Sequence, residues 1–358
     1  MTTERIKGRG AASNPVGRFE ATRAVAEDDG WWRDAEPVRI VRTVMDEHAR
    51  SIINENDSPD IPFDQSINPY RGCEHGCVYC YARPNHEYLN LSPGLDFESK
   101  LFAKVNAPQV LRGAFARRGY VCRPINLGAS TDPYQPIERE RRITRGLLEV
   151  FVEHAHPLTI VTRNALVLRD LDLLQALATQ QLVQVFVSIT TLDNHLASRM
   201  EPRATAPHTR LRTVASLAAA GVPVGVFAAP IIPAINDAEL ETIMAAAREA
   251  GASTISYTLL RLPHQVATLF REWLEVHFPG RAAHVMSLVQ QMRGGRDNDP
   301  RFGSRMKGEG QFAELLKQRF NLARKRLAFS SREERLALRT DLFRVPGRAA
   351  QGDLFGSG

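Results

Sequence analysis

The sequence predicts an α/β protein: a partial (βα)6 TIM-like barrel, with an N-terminal extension and a basic helical C-terminal segment. Three observations point there. From about residue 66 to 275, short apolar runs alternate with segments of helical period. The runs are apolar throughout, which suits parallel strands covered on both faces. Six such strand–helix units follow in series, and right-handed crossovers wind them into a closed or partly closed barrel. A doubly wound open sheet is the alternative left open by the pattern.

Composition bounds the answer. The chain has 358 residues, 43% hydrophobic and 24% charged. That is ordinary globular usage and excludes a disordered, collagenous or fibrous chain. No run approaches the ~18–20 apolar residues of a membrane span. The start, MTTERIKGRG, is basic but has no apolar core behind it, so a secretory signal is not expected. A cytoplasmic protein with no membrane contact is the expectation.

Residues 1–65 form the extension, broken by Gly8-Arg9-Gly10, Pro15, Asp28-Asp29-Gly30, Pro37, Pro59 and Pro62. A flexible arm and one helix around Val38–Ile53 are expected there. The barrel core spans 66–278. Its strands are Ser66–Arg71, Ile125–Ala129, Leu158–Thr162, Val183–Ile189, Val222–Ile232 and Ser253–Leu260. Its helices are Val105–Arg117, Ile143–His154, Val167–Thr179, Thr209–Ala220, Asp237–Ala250 and Gln265–His277. Gly221 and Gly251 stand where helices end and read as left-handed caps. Segment 279–340 holds helices near Ala282–Met292 and Gly310–Leu327 around a polar loop, and 341–358 reads as a flexible tail. The net charge of +6 is unevenly placed: residues 281–358 carry 16 Lys+Arg against 8 Asp+Glu, and the rest of the chain is close to neutral.

Three of the four cysteines lie within eight residues, in Gly72-Cys73-Glu74-His75-Gly76-Cys77-Val78-Tyr79-Cys80-Tyr81. Three thiolates spaced C-x3-C-x2-C on one loop suit three corners of a cubane iron–sulfur cluster, leaving one iron open to bind and react. The glycines let the backbone turn tightly around it. The loop also follows a predicted strand, where a barrel keeps its chemistry. A zinc site of three Cys and a His, such as His75 or His86, is one alternative, and unligated core thiols are another.

This loop, with an aromatic before its last Cys and at the opening of a (βα)6 series, resembles the radical S-adenosylmethionine superfamily. The resemblance implies a 4Fe-4S cluster on Cys73, Cys77 and Cys80. The open iron would chelate S-adenosylmethionine and cleave it reductively to a 5′-deoxyadenosyl radical. An electron donor such as flavodoxin or ferredoxin is implied with it. Further motifs resemble the spore photoproduct lyase branch. Tyr79 and Tyr81 flank Cys80 and are implied to be catalytic. Ser130, Thr131 and Asp132 match residues implied to bind the cofactor's amino group. Arg163 matches a cation for its carboxylate, Ser188 a ribose contact, and Ala229 and Pro230 a strand bordering the adenine. One position departs: Ala129 stands where that branch has a hydrogen-donating Cys. Cys122, at the opposite end of the same strand, reads as a core thiol. Lesion reversal by that route is therefore in doubt.

Lys317, Arg319, Arg324, Lys325 and Arg326 share one predicted helix. They suit either a solvated face or a patch tracking the phosphates of DNA or RNA. The tail, Gln351-Gly352-Asp353-Leu354-Phe355, resembles the short motif by which bacterial DNA-metabolism proteins bind the sliding clamp. Gln351, Leu354 and Phe355 would carry that contact. The expected function is thus radical chemistry on a substrate such as a nucleic-acid lesion, as in a DNA repair lyase. The same chemistry on a small molecule or peptide, and a non-catalytic iron–sulfur protein, are the alternatives.

Overall fold

The computed structural model describes residues 6–19, 40–330 and 337–345. Ten strands order the chain: β1 (Thr43–Glu47), β2 (Ile53–Glu55), β3 (Gln65–Ile67), β4 (Tyr70–Arg71), β5 (Lys100–Lys104), β6 (Ile125–Leu127), β7 (Leu158–Thr162), β8 (Val183–Ser188), β9 (Val224–Ile231) and β10 (Thr254–Leu259). The main sheet runs β10-β9-β8-β7-β6-β3-β2. Its members from β3 to β10 pair in parallel, and β2 adds antiparallel to β3.

Each parallel strand lies beside its successor, with no reversal of order. That decides between the two architectures. A doubly wound sheet reverses direction at a switch point and puts helices on both faces. A single direction of right-handed crossovers keeps the helices on one face, as in a barrel. Alternation along the strands agrees. Val183, Val185 and Val187 belong to the apolar core shared with the helices, as do Val224, Val226 and Ala228. The intervening Gln184, Phe186, Phe227 and Ala229 therefore face inward. There Phe186 and Phe227 stack with centroids 4.6 Å apart. Gly225 leaves no room for a Cβ against Phe186, so the stack depends on it.

The helices lie close to their expected bounds: Ala107–Phe115, Ile143–Glu153, Leu171–Ala178, Pro207–Ala219, Leu240–Glu249, Val266–His277, Ala282–Gln291 and Gly310–Arg326. Gly221 and Gly251 take φ of 74° and 94°, the left-handed cap conformation. No helix of the described residues is long and apolar enough to cross a membrane.

Three differences from the sequence reading matter. The helix expected around Val38–Ile53 is not formed over its described part; β1 and β2 stand there instead. β1 pairs with β5 from Thr43 on Lys100 to Glu47 on Lys104. The β-branched residues Thr43, Val44 and Ile53 suit a half-buried strand, and sheet pairing overrides the helical period. Second, the expected strand Ser66–Arg71 is split. β3 stays in the main sheet, while β4 leaves to pair with β5 in a small sheet of order β1-β5-β4. Third, Asp341–Val345, expected in the tail, begins as docked chain. Arg344 N–H donates to the His154 carbonyl at 2.8 Å, and the Phe343 ring meets Phe115 and His156 at 5.5 and 5.3 Å.

At the other end, segment 294–308 bridges the open side of the barrel. Leu259 N–H donates to the Met306 carbonyl at 2.9 Å, continuing β10. Arg305 Nε reaches Asp60 Oδ2 at 2.5 Å, in the turn between β2 and β3.

Candidate active site

The cysteine loop leaves β4 and is fixed by backbone on several sides. Cys73 N–H donates to the Phe97 carbonyl at 2.9 Å, and Val78 N–H to the Met200 carbonyl at 3.1 Å. The Gln135 amide accepts from Glu74 N–H at 2.9 Å and donates to the Gly72 carbonyl at 3.1 Å. Gly72 and Gly76 take φ of 75° and 67°, where a side chain is strained. Buried Arg83 donates Nε to the Cys77 carbonyl at 2.9 Å and pairs with buried Glu98.

Residues 6–19 cross the back of this loop. Gly10 and Ala11 N–H donate to the two carboxylate oxygens of Glu98 at 3.1 and 2.9 Å. Arg9 Nη1 donates to the Glu98 carbonyl at 2.9 Å. Gly10 lies so close to the Gly76 carbonyl that a Cβ would overlap it. An N-terminal strap thus presses on the backbone between two of the cysteines.

Cys73 and Cys77 are buried and Cys80 half-buried, all as free thiols. Burial pushes the Cys73 thiol well up, and negative charge on Asp132, Cys77 and Cys80 would push it further. Burial takes Cys77 to about 12, against the pull of Arg163. Such thiols are not free nucleophiles, and a bound cation is what would hold them as thiolates. Three thiols in mutual electrostatic reach on a glycine-hinged loop fit the three corners of an iron–sulfur cluster. The histidines of the zinc alternative are committed elsewhere. His75 lies between Asp132, at 3.4 Å, and Asn164, at 3.2 Å, and His86 Nε2 meets the Lys100 carbonyl at 2.9 Å. Among the described residues no three His, Cys, Asp or Glu side chains converge as ligands of a single ion would.

Every residue matched to cofactor binding lies at a strand's C-terminal end, on the rim that holds the cysteines. Ser130 and Thr131 follow β6, and their N–H groups donate to Asn68 Oδ1 at 2.7 and 3.2 Å. The Ser130 hydroxyl has no protein partner among the described residues. The Asp132 carboxylate accepts from the Thr162 hydroxyl at 2.7 Å and the Arg163 N–H at 2.8 Å. Burial would raise its pKa, but His75 and these donors outweigh that and hold it below the usual range. Ser188 ends β8, and its carbonyl accepts from Arg210 at 3.0 Å. The Ala229–Pro230 peptide at the end of β9 is cis. Thr190 Oγ1 lies 3.0 Å from the Ala229 carbonyl oxygen, and Asn236 Nδ2 donates to the Pro230 carbonyl at 3.0 Å.

The two tyrosines separate. Tyr79 is buried, donates to Glu201 and receives Arg163 Nη1 at 2.7 Å. The same Nη1 stands 3.1 Å from Cys77 Sγ. Tyr81 is half exposed, and its hydroxyl donates to the carbonyl of Ala129. Cys122 lies ahead of β6, at the end away from the rim. Burial pushes its thiol up to about 12.

Sequence reasoning missed the acids that organise this rim. Glu201 is fully buried and pairs with Arg163 at 2.9 Å and with Arg210. It also accepts from the Thr190 hydroxyl at 2.7 Å. Burial raises its pKa, but the two arginines outweigh that and hold it at about 2. Neither Glu201 nor Glu98 belongs to a recognisable spacing. Arg83 ends the cysteine run, but nothing in the sequence distinguishes it from a surface arginine.

The Radical SAM superfamily model matches residues 67–247. The chain belongs to that superfamily. An uncharacterized protein of Mycobacterium tuberculosis is 32% identical to this radical SAM protein over 284 residues, covering 76% of this chain and 84% of that one. An uncharacterized protein of Methanocaldococcus jannaschii is 30% identical over 173 residues, 48% of this chain and 62% of that one. Among solved structures, spore photoproduct lyase complexed with dinucleoside spore photoproduct superposes with a TM-score of 0.57 at 15% identity, covering 79% of each chain. A variant of that lyase with bound AdoMet and the dinucleoside gives 0.57 at 16%, again over 79% of each. These likenesses establish a shared fold. The superfamily implies a 4Fe-4S cluster and S-adenosylmethionine, and the donor set described above fits both.

Two predictions follow from this geometry. Gly10→Ala should lift the strap and strip two N–H donors from buried Glu98, at a cost of about 2 kcal/mol or more. It should also speed iron loss to a chelator from the reconstituted protein. Gly113→Ala, in a helix with open space around it, should be neutral or stabilising. Denaturant midpoints and chelation rates compare the two. Glu201 has a folded pKa of about 2, below the ordinary 4.5. The stability it contributes is therefore complete above about pH 4.5 and lost as pH falls towards 2. Glu201→Gln should cost about 3–5 kcal/mol at pH 7 by leaving two buried arginines underpaired, and much less near pH 2. Urea titrations at both pH values measure the difference.

Proposed function

We propose that this protein is a radical SAM enzyme that abstracts a hydrogen atom from a nucleic-acid substrate, in the manner of a DNA repair lyase. The reading rests on one observation above all: three thiols in mutual reach at the barrel rim, with the Arg163 guanidinium on Cys77. When bound, the cluster and S-adenosylmethionine supply reductive cleavage to a 5′-deoxyadenosyl radical.

The chain's own residues divide the remaining work. Cys73, Cys77 and Cys80 hold the cluster. Ser130, Thr131 and Asp132 present a hydroxyl and a negative end to the cofactor's ammonium group. Arg163 offers its carboxylate a planar cation already balanced by Glu201. Ser188, Ala229 and Pro230 border the nucleoside, with the Phe186–Phe227 stack beneath them. Position 129 has no thiol, so a product radical would take its hydrogen elsewhere. Tyr81, hydrogen-bonded to the Ala129 carbonyl, brings a transferable hydrogen to that place.

The nucleic-acid assignment draws on the fold shared with spore photoproduct lyase and on charge. Arg324, Lys325 and Arg326 close the last helix with no ion pair among the described residues. Arg319 and Lys317, by contrast, are paired with Glu241 and Glu314. The electron comes from a flavodoxin- or ferredoxin-like donor, and free thiols suit a reducing cytoplasm. Gln351, Leu354 and Phe355 lie outside the described residues, and we assign them to sliding-clamp binding.

Anaerobic reconstitution tests the chemistry. The wild-type chain should take up about four irons and cleave S-adenosylmethionine to 5′-deoxyadenosine under strong reductant. Cys73→Ala, Cys77→Ala and Cys80→Ala should each lose the cluster; a full cluster in any of them refutes the ligand set. Iron uptake without cleavage would make the protein a non-catalytic iron–sulfur protein. Label moved into 5′-deoxyadenosine from a small molecule or peptide, and not from nucleic acid, would replace the substrate reading. For the tail, deleting 351–358 should abolish retention on immobilised clamp. Equal retention of full-length and truncated chains would end that assignment.

A further inference from the structure

The rim holds one arginine that the cofactor site does not use. Arg261 follows β10, within reach of the cysteine loop. Its guanidinium lies 5.2 Å over the ring of Tyr81, the residue directly after Cys80. Nη1 touches only the Met306 sulfur, at 3.7 Å, and Nε is buried with no hydrogen-bond partner. Arg261 forms no ion pair among the described residues.

Among the described residues, the enclosed arginines around the cysteine loop have carboxylate partners. Arg83 pairs with Glu98, and Arg163 and Arg210 pair with Glu201. Arg293, which also has no carboxylate and whose Nε is also unpartnered, spends its two terminal nitrogens on the carbonyls of Leu260, Ser304 and Arg305 at 2.7–3.0 Å. The acid on the same wall as Arg261 is Asp60, and Arg305 and the Gly303 N–H occupy it at 2.5 and 2.7 Å. A buried guanidinium N–H without a partner is costly. Burial also depresses its pKa, the mark of a cation short of partners. Arg83, Arg163 and Arg210 are given carboxylates and Arg293 a set of carbonyls, whereas Arg261 has only a methionine sulfur and the Tyr81 ring.

The recognition chemistry follows from shape. A planar fork set over an aromatic ring, with an unused Nε–H, suits an oxyanion that takes two parallel hydrogen bonds. The Tyr81 hydroxyl is anchored on Ala129, so the ring cannot turn away without breaking that bond. We propose that Arg261, positioned on Tyr81, binds a phosphodiester group of the substrate and so sets which nucleotide reaches the radical. The proposal rests on the nucleic-acid reading above and adds the residue that reads the backbone next to the reacting base.

Calorimetry on the reconstituted full-length chain tests it. The probes are the dinucleotide thymidylyl-thymidine and its uncharged methylphosphonate analogue, each from 50 to 200 mM salt. Wild type should prefer the charged dinucleotide. Arg261→Gln should weaken it about tenfold and lower the salt slope by about one, with the analogue unaffected. Arg261→Lys, which keeps charge without the fork, should recover only part of the loss. Iron content and S-adenosylmethionine affinity should match wild type in both variants, and the melting temperature should be no lower. If Arg261→Gln binds the dinucleotide as wild type does, this proposal falls while the nucleic-acid reading stands. If Arg261→Gln loses S-adenosylmethionine affinity instead, the arginine serves the cofactor and the proposal falls. If wild type binds neither probe, the nucleic-acid reading and this proposal fall together.

Discussion

The buried carboxylate of Glu98 is the interaction on which the rest of the site depends. It pairs with Arg83, which holds the Cys77 carbonyl, and it accepts the Gly10 and Ala11 N–H groups. Three separate pieces of chain are therefore fixed through one side chain. Removing any partner leaves a charge away from water, so the arrangement is held as a unit. Glu201 does the same for the other half of the rim, joining β7, β8 and the cysteine loop through Arg163, Arg210 and Tyr79. Two acids, each fully enclosed, set the positions that the thiols and the neighbouring cation must take.

This explains how a loop with little regular structure keeps its shape. The barrel supplies strand ends pointing to one rim, but these ends alone do not determine a loop's course. Bonds to the Phe97 and Met200 carbonyls and to the Gln135 side chain, and close contact with the strap at Gly10, determine it. The concave face stays small and partly polar, with Ser66, Asn126 and Thr159 on the inward side of their strands. The helix-facing side carries the large core. Stability and chemistry thus occupy opposite faces of the same strands.

The legible part of the fold was its periodic part. Six apolar runs and their helices repeat the same physical pattern, and the chain does little else with them. β1 and β5 were missed because they pair with each other across more than fifty residues, and β2 because it is only three residues long. The thiols were legible because cluster ligation needs fixed spacing within one loop. Glu98, Glu201 and Gly10 were not, because each acts on residues far away in sequence. Arg261 looked ordinary for the same reason. Its importance lies in lacking the carboxylate that Arg83, Arg163 and Arg210 have, and a missing contact leaves no trace in a sequence.

The bond between Arg305 and Asp60 spans 245 residues. Closing a loop of that length costs about 3 kcal/mol more in chain entropy than closing one of ten residues. Such a contact forms only once the strands between have brought its ends together. During synthesis the cysteine loop and its strap, all within the first hundred residues, emerge long before the segment that walls off the rim. The cysteine loop is therefore made before the residues that fix it: its bonds to Gln135 and Met200 wait for later chain, and the wall joined by Arg305 and Asp60 waits longest.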